Sequence, residues 1–268
     1  MERELINEYL SGKSINEIAR SHFCSYTKIR NVLISNNIKI RPKYIFTRIQ
    51  GNCKKIDEDY FKSINSYDKA YWLGIILSDG TIDKKGYKIS LTSKDLELIE
   101  KFRNAIGSEH KISKIDRIDN RNGKNYISYI IQIGSKKFVR NIINIGITTK
   151  KSYDCEFPMI DIKYYNSFIR GLFDGDGTIS IIRNKLRIAF CSTEEIVKHI
   201  QNYFRTKYKI EPKKLYQLKN KSNMNLANTI YFKDTLKILE ILYEDSNENN
   251  RLSRKYNLYG KFNTQSEL

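Results

Sequence analysis

The sequence predicts an α+β protein in which an αββαββα unit occurs twice in tandem about a pseudo-twofold axis, behind a small all-α segment. Three observations carry this expectation. Residues 72–82 read WLGIILSDGTI and residues 169–179 read IRGLFDGDGTI, which sets Asp79 and Asp176 97 residues apart. Further on, Thr92-Ser93-Lys94-Asp95-Leu96 matches Ser192-Thr193-Glu194-Glu195-Ile196, and Ile133-Gly134-Ser135-Lys136 matches Ile230-Tyr231-Phe232-Lys233, at nearly the same spacing. Residues 1–40, by contrast, carry only the helical period.

Composition narrows the class of partner. The chain has 268 residues, with 48 lysines and arginines against 30 aspartates and glutamates, a formal net charge of +18. With 40% hydrophobic residues it can still bury a core, so the excess suggests a folded protein with a polyanionic partner. Nucleic acid is the first candidate and an anionic membrane surface the second. No apolar run approaches the ~18–20 residues that span a bilayer. The opening Met-Glu-Arg-Glu-Leu lacks the pattern of a signal peptide. Cys24, Cys53, Cys155 and Cys191 include no C-x-x-C pair, which argues against zinc fingers and disulfide frameworks. With only His22, His110 and His199 available, catalysis would rest on carboxylates and lysines.

Three short helices are expected first. Leu5, Ile6, Tyr9 and Leu10 form an apolar stripe that Ser11-Gly12 ends. Ser14 and Glu17 fit a capping box for a second helix carrying Ile18 and Ala19. Ser25 then caps a third, Tyr26 to about Asn36, with Ile29, Val32 and Leu33 inward. This is a helix-turn-helix arrangement, and Leu5 to Arg41 resembles the resolvase/invertase class of DNA-binding domains. By that resemblance Tyr26, Thr27, Lys28, Arg30 and Asn31 face a major groove. Arg41-Pro42 and the polar, basic stretch after it read as a tether.

Each repeat opens on an apolar helix ending in Asp-Gly. Gly74 and Ser78 are spaced i, i+4, as are Gly171 and Gly175, so each helix has a face of small residues suited to close packing on the other. Gly80 and Gly177 are expected to end the helices. Asp79 and Asp176 then sit in the last turn, where the macrodipole disfavours a carboxylate by ~0.3–1 kcal/mol. Bringing the two together adds like-charge repulsion, and the repeated penalty asks for a compensating cation. Oxygen donors suit Mg²⁺. In the strands, Lys88, Ser90 and Thr92 alternate with Ile89 and Leu91, and Lys185 and Arg187 alternate with Leu186, Ile188 and Phe190. Tyr126, Ser128, Ile130 and Gln132 likewise oppose Ile127, Tyr129, Ile131 and Ile133, so one face should be buried and the other left to solvent.

The copies WLGIILSDG and IRGLFDGDG resemble the LAGLIDADG homing endonuclease family from about Ser66 onward. The first copy departs from the pattern with Leu77 where an acid is frequent. The resemblance implies two antiparallel sheets straddling a DNA major groove, with Lys88, Lys185 and Arg187 among the contacts. It implies Asp79 and Asp176 as ligands of two or more Mg²⁺ ions, helped by the backbone carbonyls of Ser78 and Gly175. It also implies a basic residue late in each half, for which Lys151 and Lys255 are the choices and Lys150 a competitor.

The expected organisation is residues 1–43 as a helix-turn-helix domain, 44–65 as a basic linker, and 66–160 and 161–268 as the two repeats. The expected activity is site-specific hydrolysis of double-stranded DNA at a long asymmetric target, by a monomer that needs no membrane. An RNA-binding intron maturase and a helix-turn-helix transcription regulator are the rivals. An intein is not expected, since the chain starts with Met1 and ends Ser266-Glu267-Leu268 without His-Asn. The heavy use of Ile, Asn and Lys points to an AT-rich genome, hence a bacterial or phage-infected cytoplasm or an organelle.

Overall fold

The computed structural model describes residues 2–41, 55–118, 123–149, 151, 156–182, 185–212, 214–219, 226–230 and 234–266. The chain divides into two compact units, Met1–Lys55 and Ile56–Leu268. In the first, α1 (Glu2–Leu10), α2 (Ile15–Ser21) and α3 (Tyr26–Ser35) enclose Leu5, Tyr9, Ile15, Ile18, Ala19, Ile29 and Leu33. The capping box forms: the Glu17 amide donates to Ser14 Oγ (3.0 Å) and the Ser14 amide to Glu17 Oε2 (2.8 Å). Ser25 caps α3 in the same sense, accepting from the Lys28 amide. Arg41 lies over the Tyr9 ring at 4.0 Å and donates to the carbonyls of Tyr9 and Lys13, which fastens the segment after α3 to the core of this unit.

The second unit repeats itself as expected. Its first half runs α4 (Tyr67–Asp79), β1 (Gly80–Ile82), β2 (Ile89–Ser93), α5 (Leu96–Ala105), β3 (Ile112–Ile118), β4 (Asn125–Ile133) and α6 (Lys136–Ile145). Its second half runs α7 (Tyr165–Gly175), β5 (Thr178–Ile182), β6 (Lys185–Ser192), α8 (Glu194–Tyr208), β7 (Tyr216–Lys219), β8 (Leu226–Ile230) and α9 (Thr235–Tyr243), followed by α10 (Ser253–Ser266). Each half forms one antiparallel sheet, ordered β1-β2-β4-β3 and β5-β6-β8-β7. No helix among the described residues is long and apolar enough to cross a membrane.

Three sequence expectations change. The stretch 44–65 is not linker throughout: from Ile56 it belongs to the second unit, where Phe61 is fully buried edge-on against Phe138 at 5.4 Å. Glu58 accepts from the Ser135 hydroxyl (2.6 Å), so this segment is stitched to the start of α6. Apolar residues within a basic run outweighed its average polarity. Second, Gly80 ends α4 as expected, in an extended conformation (φ −75°), but α7 stops at Gly175, two residues before Gly177. Both glycines are instead demanded by space, since a Cβ on either would fall 2.5 Å from the carbonyl oxygen four residues earlier. Third, alternation fails at the outer end of β4. Ile131 and Ile133 are buried as expected, but Ile127 is 43% exposed, so the outer end of the β3–β4 ribbon leaves both kinds of position open. The matching landmark Tyr231-Phe232-Lys233 lies outside the described residues.

Candidate active site at the helix seam

The site is built by α4 and α7, which pack directly on each other. A Cβ on Gly74 would sit 2.2 Å from the Phe168 carbonyl oxygen, and one on Gly171 2.1 Å from that of Tyr71. The two backbones are therefore in contact, which only the small-residue faces permit. The contact carries the last turns of both helices to one place. Asp79 Oδ2 lies 3.2 Å from where a Cβ on Gly175 would stand, and Ser78 Oγ occupies that same space. One helix's carboxylate thus rests against the other helix's final residue.

Asp79 is half-buried, and Asp176 presents an exposed edge. Burial pushes the Asp79 carboxyl up to about 7, and the charge of Asp176 adds to the effect, against the pull of Lys151 and Lys255. Asp176 is raised too, because dense protein surrounds it despite its open edge, while the same two lysines oppose the shift. Two carboxylates that resist ionising side by side form an oxygen donor pair suited to a hard divalent cation. Among the described residues no cluster of three or more His, Cys, Asp or Glu is placed to hold a metal. An ion here would keep water or phosphate oxygens as its remaining ligands.

The two lysines take equivalent positions. Lys151 Nζ donates to the carbonyls of Ile76 (3.1 Å), Leu77 and Ser78 (2.6 Å), at the C-terminus of α4. Lys255 Nζ donates to Phe173 and Gly177 (2.5 Å), at the C-terminus of α7. Each amine donates to carbonyls at or just past a helix C-terminus and places a cation at the negative end of the dipole. Ser78, expected as a carbonyl ligand, thus already accepts from Lys151. Lys255 is 2% exposed, and burial pushes its amine down to about 8 although Asp174, Asp79 and Asp176 pull upward. Both lysines lie in the electrostatic field of both aspartates, but the amines point at helix ends rather than into an open groove. Lys150 lies outside the described residues.

The other expected contacts sit on exposed surface. Lys88 precedes β2, and Lys185 and Arg187 lie on β6, alternating with buried Leu186 and Ile188. Tyr26, Thr27, Lys28, Arg30 and Asn31 are exposed on α3, in the first unit.

Sequence reasoning passed over a second layer of polar residues. Arg170 is fully buried: Nε donates to the Asn250 carbonyl (3.0 Å), one terminal nitrogen to the Leu242 carbonyl (2.5 Å) and Asp245, and the other to Ser167 Oγ (3.1 Å). Asp174, 1% exposed, accepts from the hydroxyls of Tyr71 (3.0 Å) and Tyr243 (3.1 Å) and from the Leu252 amide (2.8 Å). Burial raises its carboxyl, with Lys255 and these donors acting in the other direction. The available signal was an arginine and an aspartate four residues apart in a helix with no other charge.

A doubled αββαββα unit whose paired helices end in carboxylates defines the LAGLIDADG class of fold. The chain belongs to the family of LAGLIDADG-like domains, whose pattern matches residues 66–146 and 163–251. It is similar to the DNA-directed RNA polymerase subunit Rpo1C of Methanocaldococcus jannaschii, 29% identical over 171 residues that make up 62% of this chain and 18% of that one. The chain thus spans under a fifth of that relative's length. Among solved structures, the homing endonuclease I-WcaI bound to its DNA recognition sequence is 17% identical, with 82% of this chain and 95% of that one covered and a TM-score of 0.52. Full-length WhiA from Thermatoga maritima is also 17% identical, with 79% and 67% covered and a TM-score of 0.48.

Proposed function

We propose that this protein is a site-specific endonuclease that hydrolyses one phosphodiester on each strand of double-stranded DNA, with Mg²⁺ held by Asp79 and Asp176. The observation that carries this reading is the meeting of two burial-raised carboxylates, one per repeat, at a glycine seam in a +18 chain. A bound divalent ion supplies an acidified water and offsets charge on the phosphate oxygens. The chain's own part is to aim both carboxylates at one place and to fix the helix ends beneath them with Lys151 and Lys255. In this reading the role first expected of those lysines changes. They hold the carboxylates' backbone and set the local field rather than touch the phosphate.

Exposed Lys88, Lys185 and Arg187 on the sheets, and Tyr26, Thr27, Lys28, Arg30 and Asn31 on α3, are the proposed DNA contacts. Two halves in one chain allow a monomer to cut both strands of an asymmetric site. The test is Mg²⁺-dependent cutting of a randomised DNA library by the purified full chain. Wild type should yield a defined cut site, and Asp176→Asn should bind that site without cutting it. The exposed face of α3 favours a second reading, a DNA-binding regulator. Sequence-specific binding with no cutting in any divalent metal supports that reading and removes the first.

A further inference from the structure

The two halves hold their equivalent lysines in different ways. In the first half the residue that aligns with Asp174 is Leu77, buried and apolar. In the second half a buried carboxylate stands between the motif helix and the segment that delivers Lys255. Asp174 Oδ2 takes the Leu252 amide at 2.8 Å, one turn before Lys255, and the Lys255 and Tyr256 amides return to the Leu252 carbonyl at 3.1 Å. Tyr71 from the first repeat and Tyr243 from α9 complete the carboxylate's partners. Asn250, just upstream, gives its carbonyl to Arg170 and its amide to Asp68, so the approach to α10 is fixed to both motif helices.

From this placement we infer that Asp174 is a positioning residue, tethering the start of α10 so that Lys255 reaches the end of α7, and that the first half, with Leu77 at the matching position, does without this carboxylate tether. The inference rests on the nuclease reading for its catalytic consequence, because a pseudo-twofold pair of half-sites assigns one DNA strand to each half. Displacing a supporting group by about 1 Å can cost on the order of a hundredfold in rate. Loss of the tether should therefore slow one strand and spare the other.

The experiment compares Asp174→Leu, which copies the first half, with Asp174→Asn, which keeps an acceptor for the Leu252 amide. Amide hydrogen exchange on the free protein is read alongside strand-resolved cutting and DNA affinity. The expected result for Asp174→Leu is loss of protection at Leu252 and through residues 253–256, with the amides of α4 still protected. One strand should then be cut at least ~10-fold more slowly, leaving nicked product, at unchanged affinity. Asp174→Asn should restore both protection and balanced cutting. Equal slowing of both strands, or normal protection at Leu252 in Asp174→Leu, overturns the inference. If wild type cuts nothing while Leu252 loses protection in Asp174→Leu, the tether stands and the nuclease reading falls.

Discussion

Gly74 and Gly171 face each other across the seam with their Cα atoms so close that a Cβ on either would stand 3.0 Å from the other's Cα. The obstacles beyond are the carbonyl oxygens of Phe168 and Tyr71, which belong to helix backbone and cannot rotate aside. Either substitution to alanine must push the helices apart. The expected cost is at or above the upper end of the ~1–3 kcal/mol seen for overpacked cores. Urea denaturation of Gly74→Ala and Gly171→Ala checks this. A loss under ~0.5 kcal/mol would mean that the helices do not touch as described.

Arg170 is the most heavily bonded charged group in the second repeat's motif helix. Replacing it with methionine leaves Asp245 without its guanidinium and three other acceptors without donors. The expected destabilisation is about 3–5 kcal/mol, the range for breaking one partner of a buried pair. Asp245 is partly open to water, which places the outcome toward the lower figure. Thermal and urea unfolding of Arg170→Met measure it.

Asp79 sets a pH dependence. Its carboxyl ionises at about 7 in the folded, metal-free protein, above its ordinary value. Between roughly pH 4 and pH 7 the folded state keeps a proton that the unfolded chain has released, so this group's contribution to stability falls as pH rises through that window. Relative to Asp79→Asn, wild type should lose on the order of a few kcal/mol between pH 5 and pH 7.5 in the presence of a chelator. Parallel profiles for the two proteins would contradict the described crowding at the seam.

In the first unit, Lys28 and Arg30 lie on the exposed face of α3, where the proposed function has them meet phosphates or base edges. Substituting Arg30 with alanine should weaken binding of the full chain to its DNA site. If Arg30 contacts a phosphate, the slope of log affinity against log salt should drop by about one. Filter binding at several salt concentrations gives both quantities, and an unchanged affinity would remove α3 from the interface.

The architecture was legible because duplication writes the same spacing twice, and because Gly74, Ser78, Gly171 and Gly175 describe a face as well as a composition. Asp79 and Asp176 followed from that face. What stayed hidden depends on partners far along the chain. Arg170 and Asp174 are satisfied by residues between Leu242 and Leu252 and by Tyr71, and no local pattern announces such pairings. Phe61 escaped notice for a related reason: it and its buried neighbour Tyr60 anchor a segment whose average character is polar and basic. Lys151 and Lys255 were chosen by position, but the helix-end carbonyls they bind are visible only in the fold.

The unlike residues at matched positions along the seam have a consequence for assembly. Asp174 draws one of its donors from Tyr71 on the opposite helix, and the residue matching Tyr71 in the second repeat is Phe168. Two second repeats brought face to face would each bury an acid opposite a bare phenyl ring, with one donor missing on both sides. Each half is therefore a poor mate for its own duplicate and a good one for the other half, so the seam selects unlike halves over like ones.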